Sequence, residues 1–244
     1  MDWKEGRVSL RDSVAAPRPL SGRALRDSFV ADVPRLTFGL VRVRGNSLTL
    51  GPIDLLRFGR PRVSRTAVEW PIEGGLGARA RGGTWRIQSS GDRIVASIDS
   101  YRPMLPRFLY AFGQLPVHLL FTRLYLLRTR GREPAPGTTA SSSDRMRATA
   151  IDVAFCAVLT GLVARKPRVR MMLGVIAGYH VTCWTLSGQT LGGLAMRQRV
   201  VATDGSTLTV WQSLLRLLAL PVSWLRGRPD HDEIACTDVI DVHP

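Results

Sequence analysis

Three apolar stretches in the second half, 148–164, 171–186 and 208–225, constrain this chain more than any other feature. A helix needs about 20 apolar residues to cross a bilayer, with a range of about 17–25, so the first two lie at or just below the lower limit. Length alone leaves a soluble helical hairpin open. The polar residues inside the stretches say more. Arg145, Thr149, Asp152, Cys156 and Thr160 follow helical spacing and share one narrow stripe of the first stretch. Thr209, Gln212, Arg216 and Ser223 form a comparable stripe in the third. An unpaired carboxylate in hydrocarbon costs about 2.5–3.5 kcal/mol on insertion scales, so Asp152 is expected to face protein or a water-filled cavity. Asp152 and Arg216 carry opposite charges on two polar faces, and the simplest expectation is that they pair. In the second stretch Gly174 and Gly178, continued by Thr182 and Thr185, form a small-residue face suited to close helix approach.

The first half has a different grammar. Residues 1–27 are polar and Arg-rich, with Pro17 and Pro19, and read as a disordered tail. Period-two alternation then predicts strands at 36–38, 41–44 and 47–50, the last two joined at Gly45-Asn46, and at 84–88 and 94–98, joined through Ser90-Gly91-Asp92. The segment 106–128, interrupted by Pro116, reads as one helix carrying Arg107, Gln114, His118 and Thr122 on one face. Two readings stand for it: packing on the sheet, or lying at a membrane surface with aromatic residues at headgroup depth. Residues 133–143, rich in Pro, Gly, Ser and Thr, read as a flexible linker and the domain boundary. The expected fold class is therefore α+β: a β-rich domain with one amphipathic helix at 28–132, then an all-α membrane-embedded bundle of two to three helices at 144–244. Short strand-like pieces are expected only at 200–201 and 239–240 in that half.

Charge narrows the function classes. The chain has 34 Lys+Arg against 19 Asp+Glu, a balance of +15. Most of the surplus lies in residues 1–144, which hold 23 basic and 12 acidic side chains. Such a balance favours anions, either nucleic-acid phosphate or lipid headgroups. The stretch from Arg81 to Arg86 around Trp85 is the best nucleic-acid candidate, but no reading motif accompanies it and the cations are spread. Anionic lipid explains the same surplus. Cys156, Cys183 and Cys236 form no CxxC pair, and the histidines lack zinc-ligand spacing. No GxSxG, P-loop or HExxH is present, so the chain is expected to be no enzyme, with no catalytic residue, metal or cofactor. The N-terminus opens polar, without a signal-peptide h-region, which predicts a cytoplasmic N-terminal domain. Every flank of the apolar stretches is basic, and the 165–170 loop is unfavourable outside the cell. A shallow re-entrant hairpin is one way to resolve that tension.

The ordered residues of the second half resemble the RDD family of membrane proteins. The run from Arg145 to Asp152 is similar to the family's opening signature. Gly188, Thr190 and Gly192 resemble the loop after its second helix, Arg199 to Gly205 the strand and turn that follow, Arg216 the arginine of its third helix, and Asp232 to Thr237 its closing element. Coverage is about residues 140–244. Gly193 stands where the family commonly has lysine, and Cys236 where it commonly has glycine. The resemblance implies an integral protein of the cell membrane with Arg145, Asp152, Arg216 and Asp232 as a polar intramembrane constellation, and transport of an ion or small ligand. Three helices cannot enclose a pathway alone, so transport implies a homo-oligomer. The alternative is a membrane-anchored adaptor whose basic β domain binds a protein partner or anionic lipid.

Overall fold

Alternation of valine with arginine over Val41–Arg44 becomes a strand because one face can be covered while the other stays wet. In a computed structural model, which describes residues 2–131, 133–163, 169–228 and 230–242, the chain divides into two units, Met1–Arg132 and Glu133–Pro244.

In the first unit β1 (Asp2–Lys4), β2 (Arg7–Ala15), β3 (Val41–Arg44), β4 (Ser47–Leu50), β5 (Ile53–Phe58), β6 (Arg62–Val63), β7 (Ala67–Gly74), β8 (Thr84–Ser90) and β9 (Arg93–Tyr101) form one nine-stranded sheet. The order is β1-β2-β9-β8-β7-β5-β4-β3, with β6 beside β7, and every pairing is antiparallel. Both expected hairpins form: Val41 faces Leu50 across β3–β4, and Ser90 faces Arg93 across β8–β9. The helix α1 (Gly22–Leu36) starts at Ser21, whose hydroxyl accepts from the Ala24 N–H, and buries Leu25, Phe29 and Val33 at helical spacing.

Two expectations fail here. Residues 1–27 are not a disordered tail. Strand β2 pairs along β9, Val8 and Val14 are fully buried, and α1 begins inside the segment. The partner strand lies some 85 residues away, so no local pattern announces it. Residues 36–38 are not a strand either: α1 runs to Leu36, and Thr37 caps it by donating its hydroxyl to the Val33 carbonyl at 2.9 Å.

The 106–128 segment forms α2 (Arg107–Leu109), a π-helical turn (Tyr110–Gln114) and α3 (Leu115–Thr129). Pro116 sits in the first turn of α3, directly after the π-helical turn. The C-terminal half packs on α1 and the sheet, burying Tyr125, Leu126 and Leu127. The polar stripe turns inward over part of its length. The Gln114 amide donates to the Tyr101 hydroxyl at 2.8 Å, and Tyr101 donates to the Gly77 carbonyl.

The second unit holds α4 (Ser142–Val163), α5 (Val169–Leu186), α6 (Leu191–Ala195), β10 (Gln198–Ala202), α7 (Val210–Arg226), α8 (Asp230–Ala235) and β11 (Thr237–Asp241). It is not purely helical: β10 and β11 pair antiparallel, Val200 opposite Val239. Residues 133–143 are not a free linker. Ala140 N–H donates to Val239 O, Asp241 N–H to Thr138 O, and Ala135 N–H to the Asp238 carboxylate. Small residues read as flexible by composition, but they also let a chain lie flat against a strand, and Ala135 and Ala140 are buried. The basic loop at 165–170 lies largely outside the described residues, and with it the re-entrant reading.

Among the described residues one helix, Ser142–Val163, is long and apolar enough to cross a membrane, with a mean hydropathy of 1.6. Apolar side chains also face outward from all three long helices, including Val158 and Leu162 on α4, Leu173 on α5, and Leu218 and Trp224 on α7.

Candidate functional site

Helical spacing puts Ala148, Asp152, Cys156 and Thr160 on the buried face of α4, while Thr149 of the expected stripe is exposed and donates to the Arg145 carbonyl. On α7 the buried polar residues are Gln212, Ser213, Arg216 and Ser223. Thr209 and Gln212 close a reciprocal capping box that starts the helix. Behind α7, Gly227 takes a left-handed conformation and α8 folds back against α7. That reversal decides the electrostatics.

Asp232 on α8 is the centre of the first cluster. The Arg216 guanidinium donates to its Oδ1 from Nε at 3.0 Å and from Nη2 at 2.7 Å, and the Thr237 hydroxyl donates to the same oxygen at 2.9 Å. Arg145 reaches across from α4 to donate to Oδ2. Arg216 also lies 4.6 Å over the Trp184 ring, a cation–π contact worth more where water is excluded. Burial by itself would raise the Asp232 carboxyl. The guanidinium charges of Arg216 and Arg145 outweigh it and hold the group down at about 2. The neighbouring His231 is pushed down to about 4 by burial; its backbone N–H donates to the Ser223 hydroxyl at 2.7 Å, and its Nδ1 lies 2.8 Å from the same oxygen.

The expected Asp152–Arg216 pair is therefore not made. Arg216 is taken by Asp232, sixteen residues on, because α8 returns to it. Asp152 sits in a second cluster. Its Oδ1 accepts from the Tyr179 hydroxyl at 2.8 Å and from the Gly192 N–H at 2.8 Å. Tyr179 in turn accepts from the Leu191 N–H. Thr190 caps α6 by accepting from the Gly193 N–H at 3.0 Å. Gly188 stands at φ +74, where an added Cβ would meet the Val200 carbonyl, so the turn after α5 requires glycine.

His180 completes this cluster from α5. Its Nδ1 lies 2.9 Å from the Ile176 carbonyl, which can only accept, so Nδ1 carries the proton. Its Nε2 lies 3.9 Å from Asp152 Oδ2, an acceptor when the ring is neutral and a donor when the ring is protonated. The two side chains stand on the wall of a cavity of about 440 Å³, lined also by Arg145, Trp184, Gln198 and Arg216. The buried Gln198 Nε2 has no partner among the described residues.

Of the residues singled out in the sequence, Arg145, Arg216 and Thr237 converge on Asp232, while Asp152 meets Gly192 beside the Thr190 cap. Tyr179, His180 and Gln198 were missed. The expected small-residue face of α5 is used within the unit only at its C-terminal end, where the Thr185 hydroxyl donates to Ser213 at 3.2 Å, while Gly174 and Gly178 are exposed, with nothing within 4 Å of an added Cβ. The buried face carries His180 and Trp184, one helical turn apart.

The unit is mainly helical, with Asp152, Arg216 and Asp232 held inside and apolar side chains turned outward. Within it, residues 169–236 match the model of the RDD family, while the N-terminal half has no family match. The match suggests a membrane protein. It covers Gly188, Thr190, Gly192, Arg216 and Asp232, and stops short of Arg145, Asp152 and Thr237. No curated protein matches the chain, and no solved structure does. The structure also gives the family's usual glycine at 236 a physical reason: Cys236 has φ +52, a left-handed conformation that costs a side chain about 1–2 kcal/mol.

Proposed function

We propose that the C-terminal unit is embedded in the cell membrane, with the first unit on the cytoplasmic side, and that its polar cavity passes a proton or small cation, several copies together enclosing the pathway. One observation carries this reading: His180 Nε2 and Asp152 Oδ2 lie 3.9 Å apart on the cavity wall, while Nδ1 is engaged by the Ile176 carbonyl. In the neutral ring Nε2 turns a lone pair toward the carboxylate, and a proton or cation between the two is held by both. The Asp232 cluster is satisfied within the protein and serves as scaffold, holding α4, α7 and α8 together. The outward apolar side chains of the three long helices support the membrane setting.

The test is flux through the full chain in liposomes loaded with a pH-sensitive dye, under an imposed potential, with monovalent salts varied. Wild type is expected to dissipate the gradient. Asp152→Asn keeps an oxygen for Tyr179 and Gly192 but loses the charge, and is expected to fall to the rate of empty vesicles. Wild-type flux equal to that of empty vesicles, or undiminished flux in Asp152→Asn, would overturn the proposal.

A further inference from the structure

The first unit carries an apolar surface that its own fold leaves open. Residues 104–109 are all exposed, and so are Phe112 and Val117. Phe108 is 70% exposed and Phe112 74%, their rings 4.9 Å apart. Leu76 adjoins the patch, since the Met104 N–H donates to the carbonyl of the next residue, Gly77, and Leu76 is 57% exposed.

This is an inverted amphipathic helix. Two of its polar residues face inward, where Gln114 bonds Tyr101 and His118 Nδ1 lies 3.4 Å from the Tyr110 hydroxyl. Its aromatic residues face out, and the π-helical turn keeps Phe108, Phe112 and Val117 outward at spacings of four and then five. A soluble surface rarely exposes so much contiguous apolar area without a use for it.

The helical segment itself carries charge of one sign. From Ser100 to Arg132 the sequence contains six arginines and no acidic residue. Arg107 sits within the exposed run, and the Arg79 N–H donates to the Arg102 carbonyl at the base of the patch. Exposed aromatic residues beside Arg102 and Arg107, on a segment that contributes no carboxylate, complement an anionic bilayer surface: rings enter to headgroup depth while guanidinium groups meet phosphate.

We infer that the Met104–Val117 face is a membrane-docking surface and that its occupant is the anionic headgroup region of a bilayer. The inference rests on the membrane reading of the second unit for its tether: a unit joined by one peptide connection to an embedded one meets lipid at high effective concentration.

The test places a photoreactive phenylalanine analogue in the full chain at position 112, 57 or 158, one at a time, in vesicles with or without phosphatidylserine. Adducts are read by mass spectrometry. Position 158 reports the membrane reading, and lipid adducts are expected there in both vesicle types. Position 112 is expected to give lipid adducts that increase with phosphatidylserine and decrease with salt, whereas position 57, exposed in β5, stays unmodified. Combining the label at 112 with Arg102→Gln and Arg107→Gln should reduce its adducts. Lipid adducts at 158 with none at 112 would overturn the inference alone; none at 158 would overturn the membrane reading. Adducts from 112 to a second copy or another protein would assign the surface to a protein partner. Adducts indifferent to lipid charge would overturn the anionic occupant.

Discussion

Asp232→Asn is expected to be among the most damaging single substitutions in the C-terminal unit. The carboxylate balances Arg216 and Arg145 at once, and Arg216 is buried. Removing one partner of a buried ion pair typically costs about 3–5 kcal/mol, because a charge is stranded away from water. Thermal unfolding in detergent should show this as a large drop. Asp232→Leu combined with Arg216→Met should recover much of it, a strong coupling in a double-mutant cycle. The cycle between Asp152 and Arg216 should be near additive, within about 0.5 kcal/mol. The same carboxylate sets an acid limit. A folded value of about 2 against an ordinary 3.8 means its contribution is complete above about pH 4 and is lost as pH falls through 2. In Asp232→Asn that acid step should disappear. Strong coupling of Arg216 to Asp152 instead would contradict the observed pairing.

Gly192→Ala is expected to be comparably severe for a steric reason. A Cβ there would lie 2.0 Å from the Ala148 carbonyl oxygen and 2.9 Å from its Cα, both backbone atoms that no rotamer change can move. Helix α6 would have to lift from α4, taking the Gly192 N–H away from Asp152. Overpacking costs about 1–3 kcal/mol, and a lost hydrogen bond to a charged group about 1.5–3. A loss of about 3–5 kcal/mol in detergent unfolding is expected. Gly193→Ala is the control, since its Cβ would approach the Gln198 carbonyl no closer than 3.1 Å. Equal effects at 192 and 193 would rule out the close α4–α6 contact as the cause.

The hairpins were legible because period-two alternation and a glycine turn are local signals, and their partners lie a few residues away. Strand β2 was not, because Val8 and Val14 gain their meaning from β9 and from the helices beyond the sheet. The segment 133–143 misled through composition: alanine, glycine and serine mark a linker, yet also the flat packing seen against β11. In the site, helical arithmetic placed Asp152 and Arg216 on inward faces, where both are buried. It could not say which carboxylate Arg216 meets, because the reversal at Gly227 is a tertiary event. His180 was missed because the glycine pattern on α5 drew attention to the opposite face, while the His180–Trp184 spacing was the available signal.

The central claim concerns one ring, and the most direct measurement is on that ring. Nitrogen-15 NMR of histidine-labelled full chain in lipid nanodiscs, assigned by His180→Gln, reports which imidazole nitrogen holds the proton. At neutral pH without added monovalent cation, the neutral ring is predicted to show a protonated Nδ1 and a bare Nε2. The Nε2 resonance should shift when the pH is lowered or a monovalent salt is added, and that response should be lost in Asp152→Asn. A neutral ring protonated at Nε2 would place a simple hydrogen bond where the account requires two facing acceptors, and would contradict it.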